Sequence, residues 1–287
     1  MNAKKRLAIA QETLDILAAG QYKNAKNEWV DLRADLKNSV DNTILYKPED
    51  FQQVFALRAS QLKTNPADEC TIEVTAESTF TATKRLVAAG NNNICCLNFA
   101  SAKNPGGGFL RGTQAQEETL ARGSGLYASL ITKMEMYQTN RSNGSCLYTD
   151  NMIYSPLVPV FRDEHDQLMD HYYSVSIITS PAVNAGALQT NEPDRIKEIA
   201  PVMINRMEKL LSIAVAQGQT TLILGAWGCG VFRNNTKDVA AWFAHHLLEN
   251  ELFKNAFSHV VFAVYDNTEK QETLHAFKAQ FEKARLS

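Results

Sequence analysis

From Thr71 onward, apolar and polar positions follow two patterns: short apolar runs, and longer stretches with apolar residues at helical spacing. The short runs predict strands over 71–75, 94–99, 153–155 with its approach, 173–179, 221–224 and 259–264. The amphipathic stretches predict helices over 79–89, 116–136, 194–216, 237–249 and 269–284. Ile94-Cys95-Cys96-Leu97, Leu222-Ile223-Leu224 and Val260-Val261-Phe262-Ala263-Val264 are apolar throughout. Such strands are covered on both faces, as in the centre of a largely parallel sheet. Strands alternating with helices predict an α/β protein with a three-layer α/β/α sandwich.

Residues before Thr71 read differently. Leu7, Leu14, Ile16 and Leu17 lie at helix-compatible intervals that end at Gly20. A second helix opens at Pro48-Glu49-Asp50 and runs through Phe51, Val54, Phe55, Leu57 and Leu62. Proline at its start and acids in its first turn suit a helix N-terminus. Asn65-Pro66-Ala67-Asp68 breaks that pattern. Residues 1–70 are therefore expected to form a helical N-terminal accessory region, packed on a main domain of residues 71–287.

Composition narrows the function classes. The 287 residues are 45% hydrophobic and 21% charged, with ample core material for one large domain or for a domain with an accessory piece. A net charge of −2 and a pI near 6.3 argue against a protein that grips nucleic-acid backbone in a basic groove. Lys4-Lys5-Arg6 is the one basic run, and it reads as a solvated terminus. No segment reaches the ~18–20 apolar residues that span a bilayer, and Gln11 and Glu12 interrupt any secretory core. Cys70, Cys95, Cys96, Cys146 and Cys229 are odd in number and lack a framework spacing, which predicts reduced thiols in the cytoplasm.

Chemistry concentrates in two glycine clusters. Gly106, Gly107 and Gly108 follow the apolar strand 94–99, where ligands of α/β sheets bind. Glycines there let another molecule approach the main chain. Gln116-Glu117-Glu118 follows shortly and brings acid/base capacity beside that backbone. In one helical turn the two glutamates project about 100° apart, so they cannot share one task. The second cluster, Gly225-Ala226-Trp227-Gly228-Cys229-Gly230-Val231-Phe232, links strand 221–224 to a helix starting near Thr236. Successive N–H groups in such a turn form an anion nest, and the following helix adds its dipole. The spacing is neither a Walker A loop nor a dinucleotide fingerprint. Cys229 has no base paired with it in sequence and reads as a small side chain between glycines. The six histidines form no His-Glu-x-x-His, and no Cys-x-x-Cys occurs, so neither a metal nor a cofactor is expected.

The triple glycine followed by Gln-Glu-Glu resembles the signature of the poly(ADP-ribose) glycohydrolases of the compact bacterial type. The likeness extends to the segments 97–101, 119–122, 154–162, 180–186 and 225–234, in the same order. It implies a macrodomain with a mixed central sheet. It implies Glu118 as general acid/base, Glu117 as the residue that orients the distal ribose, and Gln116 as a support for loop and ligand. It also implies that Gly228, Cys229, Gly230 and Val231 wrap the diphosphate of ADP-ribose while Phe232 packs on its nucleoside. Asn98 and Ser101 fall where macrodomains contact the distal ribose. Arg233 stands where a smaller residue is usual, which implies an altered loop closure or a contact to the polymer.

The leading expectation is a hydrolase of ribose–ribose O-glycosidic bonds in poly(ADP-ribose), mainly exo, releasing ADP-ribose. That bond breaks through an oxocarbenium-like state whose leaving oxygen needs a proton, so Glu118 is expected to titrate above the ordinary glutamate value of about 4.3. The expected partner is the ADP-ribose polymer or an ADP-ribosylated protein. Two alternatives are a macrodomain that binds ADP-ribose without catalysis and a mono-ADP-ribosyl hydrolase.

Overall fold

The computed structural model describes residues 1–64 and 69–282. The predicted break at 65–68 and the end of the helix predicted over 269–284 lie outside the described residues. Helix α1 (Ala3–Ala19) starts where the Asn2 side chain accepts the Lys5 N–H, and stops at Gly20 with φ 66°. A hairpin of β1 (Gln21–Lys23) and β2 (Trp29–Asp31) leads into α2 (Arg33–Asp41) and β3 (Ile44–Tyr46). A 3-10 turn over Pro48–Asp50 then opens α3 (Phe51–Thr64). The first seventy residues, expected to be helical, thus also contain three short strands. Three residues are too few to display a strand period.

The central sheet holds β3 with β4 (Thr71–Thr75), β5 (Ile94–Phe99), β6 (Met152–Arg162), β7 (Leu168–Ser180), β8 (Thr221–Leu224) and β9 (His259–Ala263). Their spatial order is β3-β6-β7-β5-β8-β9-β4. The run from β7 to β4 is parallel, whereas β6 is antiparallel to both β3 and β7. The N-terminal region therefore supplies one edge of the mixed sheet.

Helices cover both faces. α4 (Thr79–Ala88), α5 (Gln116–Gly123), α6 (Leu126–Leu130) and α7 (Met134–Ser142) contribute to one core. α3, α8 (Ala185–Asn191), α9 (Ile199–Ala216), α10 (Thr236–Ala244) and α11 (Glu272–Glu282) contribute to the other. Cys95 and Leu97 enter the second core while Ile94 and Cys96 enter the first. That alternation is why β5 is apolar at successive positions.

The helix expected over 116–136 is broken. Ser124 is extended and bridges Val160, and the Gly125 N–H donates to Pro159 O at 2.8 Å. Gly123 and Gly125 make this possible: a Cβ on Gly123 would lie 2.5 Å from the Phe80 ring, and one on Gly125 2.8 Å from Leu36. The close packing of these strands and helices forces a turn where helical spacing continues.

Candidate active site

The backbone leaving β5 turns sharply. Ser101 Oγ accepts the N–H of Asn104 at 3.2 Å, and Asn104 O accepts the N–H of Gly107. Gly106 and Gly107 then take φ of 68° and 62°, a left-handed pair that side chains resist. The space beside Gly107 is filled by carboxylate: a Cβ there would collide with Glu118 Oε1 and come within 3.0 Å of Glu117 Oε2. The missing side chain is what lets both glutamates lie against the loop.

Glu117 is 3% exposed, and both its oxygens are engaged. Ser101 N–H donates to Oε2 at 2.6 Å, and Asn98 Nδ2 donates to Oε1 at 3.3 Å. Burial pushes its carboxyl up to about 8, against the pull of those donors, and the neighbouring Glu118 adds to the rise. Of the two glutamates Glu117 is the more deeply buried.

Glu118 is 9% exposed and lines a cleft of about 1010 Å³. Its Oε1 accepts the Gly108 N–H at 2.9 Å and the Thr113 hydroxyl at 3.3 Å. Its Oε2 accepts no hydrogen bond among the described residues.

Gln116 is a strut. Its Oε1 accepts the Phe99 N–H at 2.9 Å, and its Nε2 donates to Leu97 O and Thr79 Oγ1, tying α5 to β5 and α4. Asn98 and Gly106 are buried beneath the cleft wall rather than in it. Asn98 is fully buried and gives its amide to Glu117 and to Thr179 Oγ1. Ser101 lines the cleft, and its hydroxyl oxygen accepts the Asn104 N–H of the turn.

The opposite wall is the loop after β8. Trp227 is buried and donates Nε1–H to Ser180 O at 3.0 Å, while Asn234 Nδ2 donates to Val183 O and Gly228 O. Gly228 has φ 73°, and a Cβ there would stand 2.5 Å from that of Ala182. The loop is therefore held rigidly from below. Its N–H groups at Gly230, Val231 and Phe232 donate to no acceptor among the described residues, and all three residues line the cleft. That row of free donors fits an anion. Cys229 also lines the cleft, but burial pushes its thiol up to about 12, which suits packing and not nucleophilic attack. The Phe232 ring lies 5.9 Å from that of Tyr148. Arg233 adopts φ 57° and lays its stem on Gly186.

Gly107, Gly108, Gln116, Glu117, Glu118, Gly228, Cys229, Gly230, Val231 and Phe232, predicted from separate parts of the sequence, thus border one cleft. The loops after β4 and β9 border it too, through Glu77, Ser78, Tyr265 and Asp266, and sequence reasoning passed over them. Their place beyond the carboxyl ends of predicted parallel strands was the available signal. Among the described residues no group of three or more His, Cys, Asp or Glu could hold a metal ion.

Comparison with known proteins agrees with this geometry. The family model for the microbial-type PARG catalytic domain matches residues 10–163. The poly(ADP-ribose) glycohydrolase (PARG) of Thermomonospora curvata is 41% identical over 97% of this chain and 100% of its own, with TM-score 0.89. The same protein bound to the inhibitor ADP-HPD matches with 42% identity, the same coverage and TM-score 0.89. The PARG of Deinococcus radiodurans in complex with ADP-ribose is 45% identical over 86% of this chain and 97% of its own, with TM-score 0.80. No curated protein sequence matches the chain.

Proposed function

Because this chain belongs to the microbial-type poly(ADP-ribose) glycohydrolase family, we propose that Glu118 is the acid that breaks the ribose–ribose bond. The protein is an O-glycosyl hydrolase of poly(ADP-ribose), and the division of labour between its two glutamates follows from their hydrogen bonds. Glu117 has both oxygens committed, so it serves as a fixed wall against the distal ribose. Glu118 has one oxygen pinned and Oε2 unclaimed in the cleft, and this single observation carries the assignment.

Glu118 gives a proton from Oε2 to the leaving ribose oxygen as the oxocarbenium-like state forms. The carboxylate left behind then takes a proton from the attacking water. The free N–H groups of Gly230, Val231 and Phe232 support the reading of that loop as the diphosphate cradle, with the Phe232 ring against the nucleoside. A protonated Glu117 lowers like-charge repulsion when the anionic substrate enters. Cleavage is exo, with the terminal ADP-ribose unit of a polymer, free or protein-attached, seated in the cleft. The cytoplasm is the proposed compartment, supported by five free cysteines.

The test is release of ADP-ribose from purified poly(ADP-ribose) in the presence of a metal chelator. Glu118→Gln keeps shape and removes the donor, so turnover should fall by ~10²–10⁴-fold while ADP-ribose binding is kept. A variant at near-native rate would remove Glu118 from the acid role. Wild-type protein that binds ADP-ribose and releases none would be a reader or would act on a single attached ADP-ribose.

A further inference from the structure

Behind the acid lies a second layer that joins four distant parts of the chain. Arg122, on the last turn of α5, is fully buried. Its guanidinium donates to Thr113 O at 3.2 Å, to Gln114 Oε1 at 2.7 Å and to Asp166 Oδ1 at 3.2 Å. Thr113 is the residue whose hydroxyl holds Glu118, and it fits only because Gly108 has no Cβ to meet its Oγ1. Asp166 sits in the turn between β6 and β7, held there by Arg162, which donates to its carbonyl. Arg162 also pairs with Glu12 of α1 at 2.6 Å.

Helix α1 grips the same assembly twice more. Thr13 donates its hydroxyl to Arg122 O at 2.6 Å, and Arg6 Nε donates to Gly112 O at 2.6 Å. Gly112 has φ 73°, and a Cβ there would lie 2.7 Å from Ala3 O. The loop from Gly108 to Gln114 is thus pinned on one side by α1 and on the other by Arg122. A buried arginine is costly to desolvate unless its donors are matched, and four acceptors, Thr119 Oγ1 at 3.5 Å the fourth, converge on this one.

We infer that Arg122 is a positioning residue for Glu118, acting through Thr113, and that α1 is the second anchor of the same loop. The inference rests on the acid role of Glu118. It gives the N-terminal helix a task in catalysis: it fixes where the acid's carboxyl sits without touching substrate.

The experiment pairs Thr113→Val with Thr113→Ser, and Arg122→Lys with Arg6→Ala. Thr113→Val should lower kcat on poly(ADP-ribose) by ~10–100-fold, the loss a slightly misplaced catalytic group incurs. The stoichiometry and Kd of ADP-ribose binding should stay within about twofold, since misplacing the acid leaves the binding cleft formed. Thr113→Ser, which keeps the hydroxyl, should recover most of the rate. Equal impairment of the Val and Ser variants, or native kcat in Thr113→Val, would overturn the inference. So would a rate loss matched by an equal loss of binding stoichiometry, which is what simple unfolding gives. A readout without substrate separates this outcome from failure of the acid assignment. Amide exchange at Gly108 and Thr113, both hydrogen-bonded in the loop, should quicken in Arg122→Lys and Arg6→Ala while β5 stays protected. Unchanged exchange at those two amides would sink the anchoring whatever the substrate proves to be. Should Arg122→Lys fail to fold, the Thr113 pair still decides the positioning of Glu118 and Arg6→Ala, at a half-buried position of α1, still decides the second anchor.

Discussion

Glu117 shows how a single residue's surroundings set a property measurable on the whole protein. An unperturbed glutamate titrates at about 4.3, whereas burial raises Glu117 to about 8 in the folded chain. Between those values the folded state holds a proton that the unfolded state has released. Stability then falls as pH rises through the window, because the unfolded state binds fewer protons. The group costs nothing below ~4.3 and exerts its full desolvation penalty above about 8. Glu117→Gln keeps the side chain's shape and does not titrate. Thermal melts of both proteins at about pH 5 and about pH 9 should show the wild type losing more stability than the variant. Equal losses would assign the titration to another group. Residues of this kind divide sharply in legibility. Gln116, Glu117 and Glu118 stand out because they are adjacent to one another and close to three glycines. Thr113 and Arg122 lie near Glu118 in sequence but carry no local mark of their contacts, and Asp166 and Arg6 join the same assembly only through folding.

At the scale of elements, β5 and β8 occupy the residues their apolar runs predicted, since a strand covered on both faces writes its limits directly into the sequence. The segment from Gln116 to Met136 reads as one helix because helical spacing persists through Gly123-Ser124-Gly125. The break there is set by Phe80, Leu36 and Pro159 pressing on glycines, a fact of packing that no local pattern carries. The loop from β8 to α10 lies between these cases. Its glycines announce a turn, but the free N–H row at Gly230, Val231 and Phe232 emerges only with Trp227 and Asn234 fixed beneath it. Phe232 is half-buried at the rim of the larger core, its ring tilted toward Tyr148, so removing it takes away no fully buried side chain. Phe232→Ala should weaken ADP-ribose binding by ~1–3 kcal/mol, the worth of one aromatic face against a base, with little change in melting temperature. Titration calorimetry would detect it. An unchanged Kd with a lowered melting temperature would make Phe232 a packing residue only.

For the whole molecule, the decisive question is whether the accessory region can be separated from the rest. Three observations bear on it. β3 pairs with β6 at the edge of the central sheet, from Ile44 opposite Tyr154 to Tyr46 opposite Met152. Tyr46, Phe51 and Val54 are buried in the larger core beside residues of α9, and Arg58 donates to Ser212 Oγ of that helix at 2.9 Å. Burying one such side chain is worth ~1.5–3 kcal/mol. Three of them amount to roughly 5–9 kcal/mol, which is comparable to the entire stability of a typical domain at ~5–15 kcal/mol. A chain of residues 71–287 alone would also bare the outer edge of β6, an invitation to pair with other chains. It should therefore aggregate or melt without cooperativity. A chain lacking only residues 1–19 keeps β3 and α3, so it should melt cooperatively and bind ADP-ribose, yet turn over slowly because the loop holding Glu118 has lost one anchor. Size-exclusion chromatography, thermal melts and ADP-ribose release on the two truncations separate the roles. If 71–287 purified as a folded monomer with native turnover, the N-terminal seventy residues would support neither the sheet edge nor the acid.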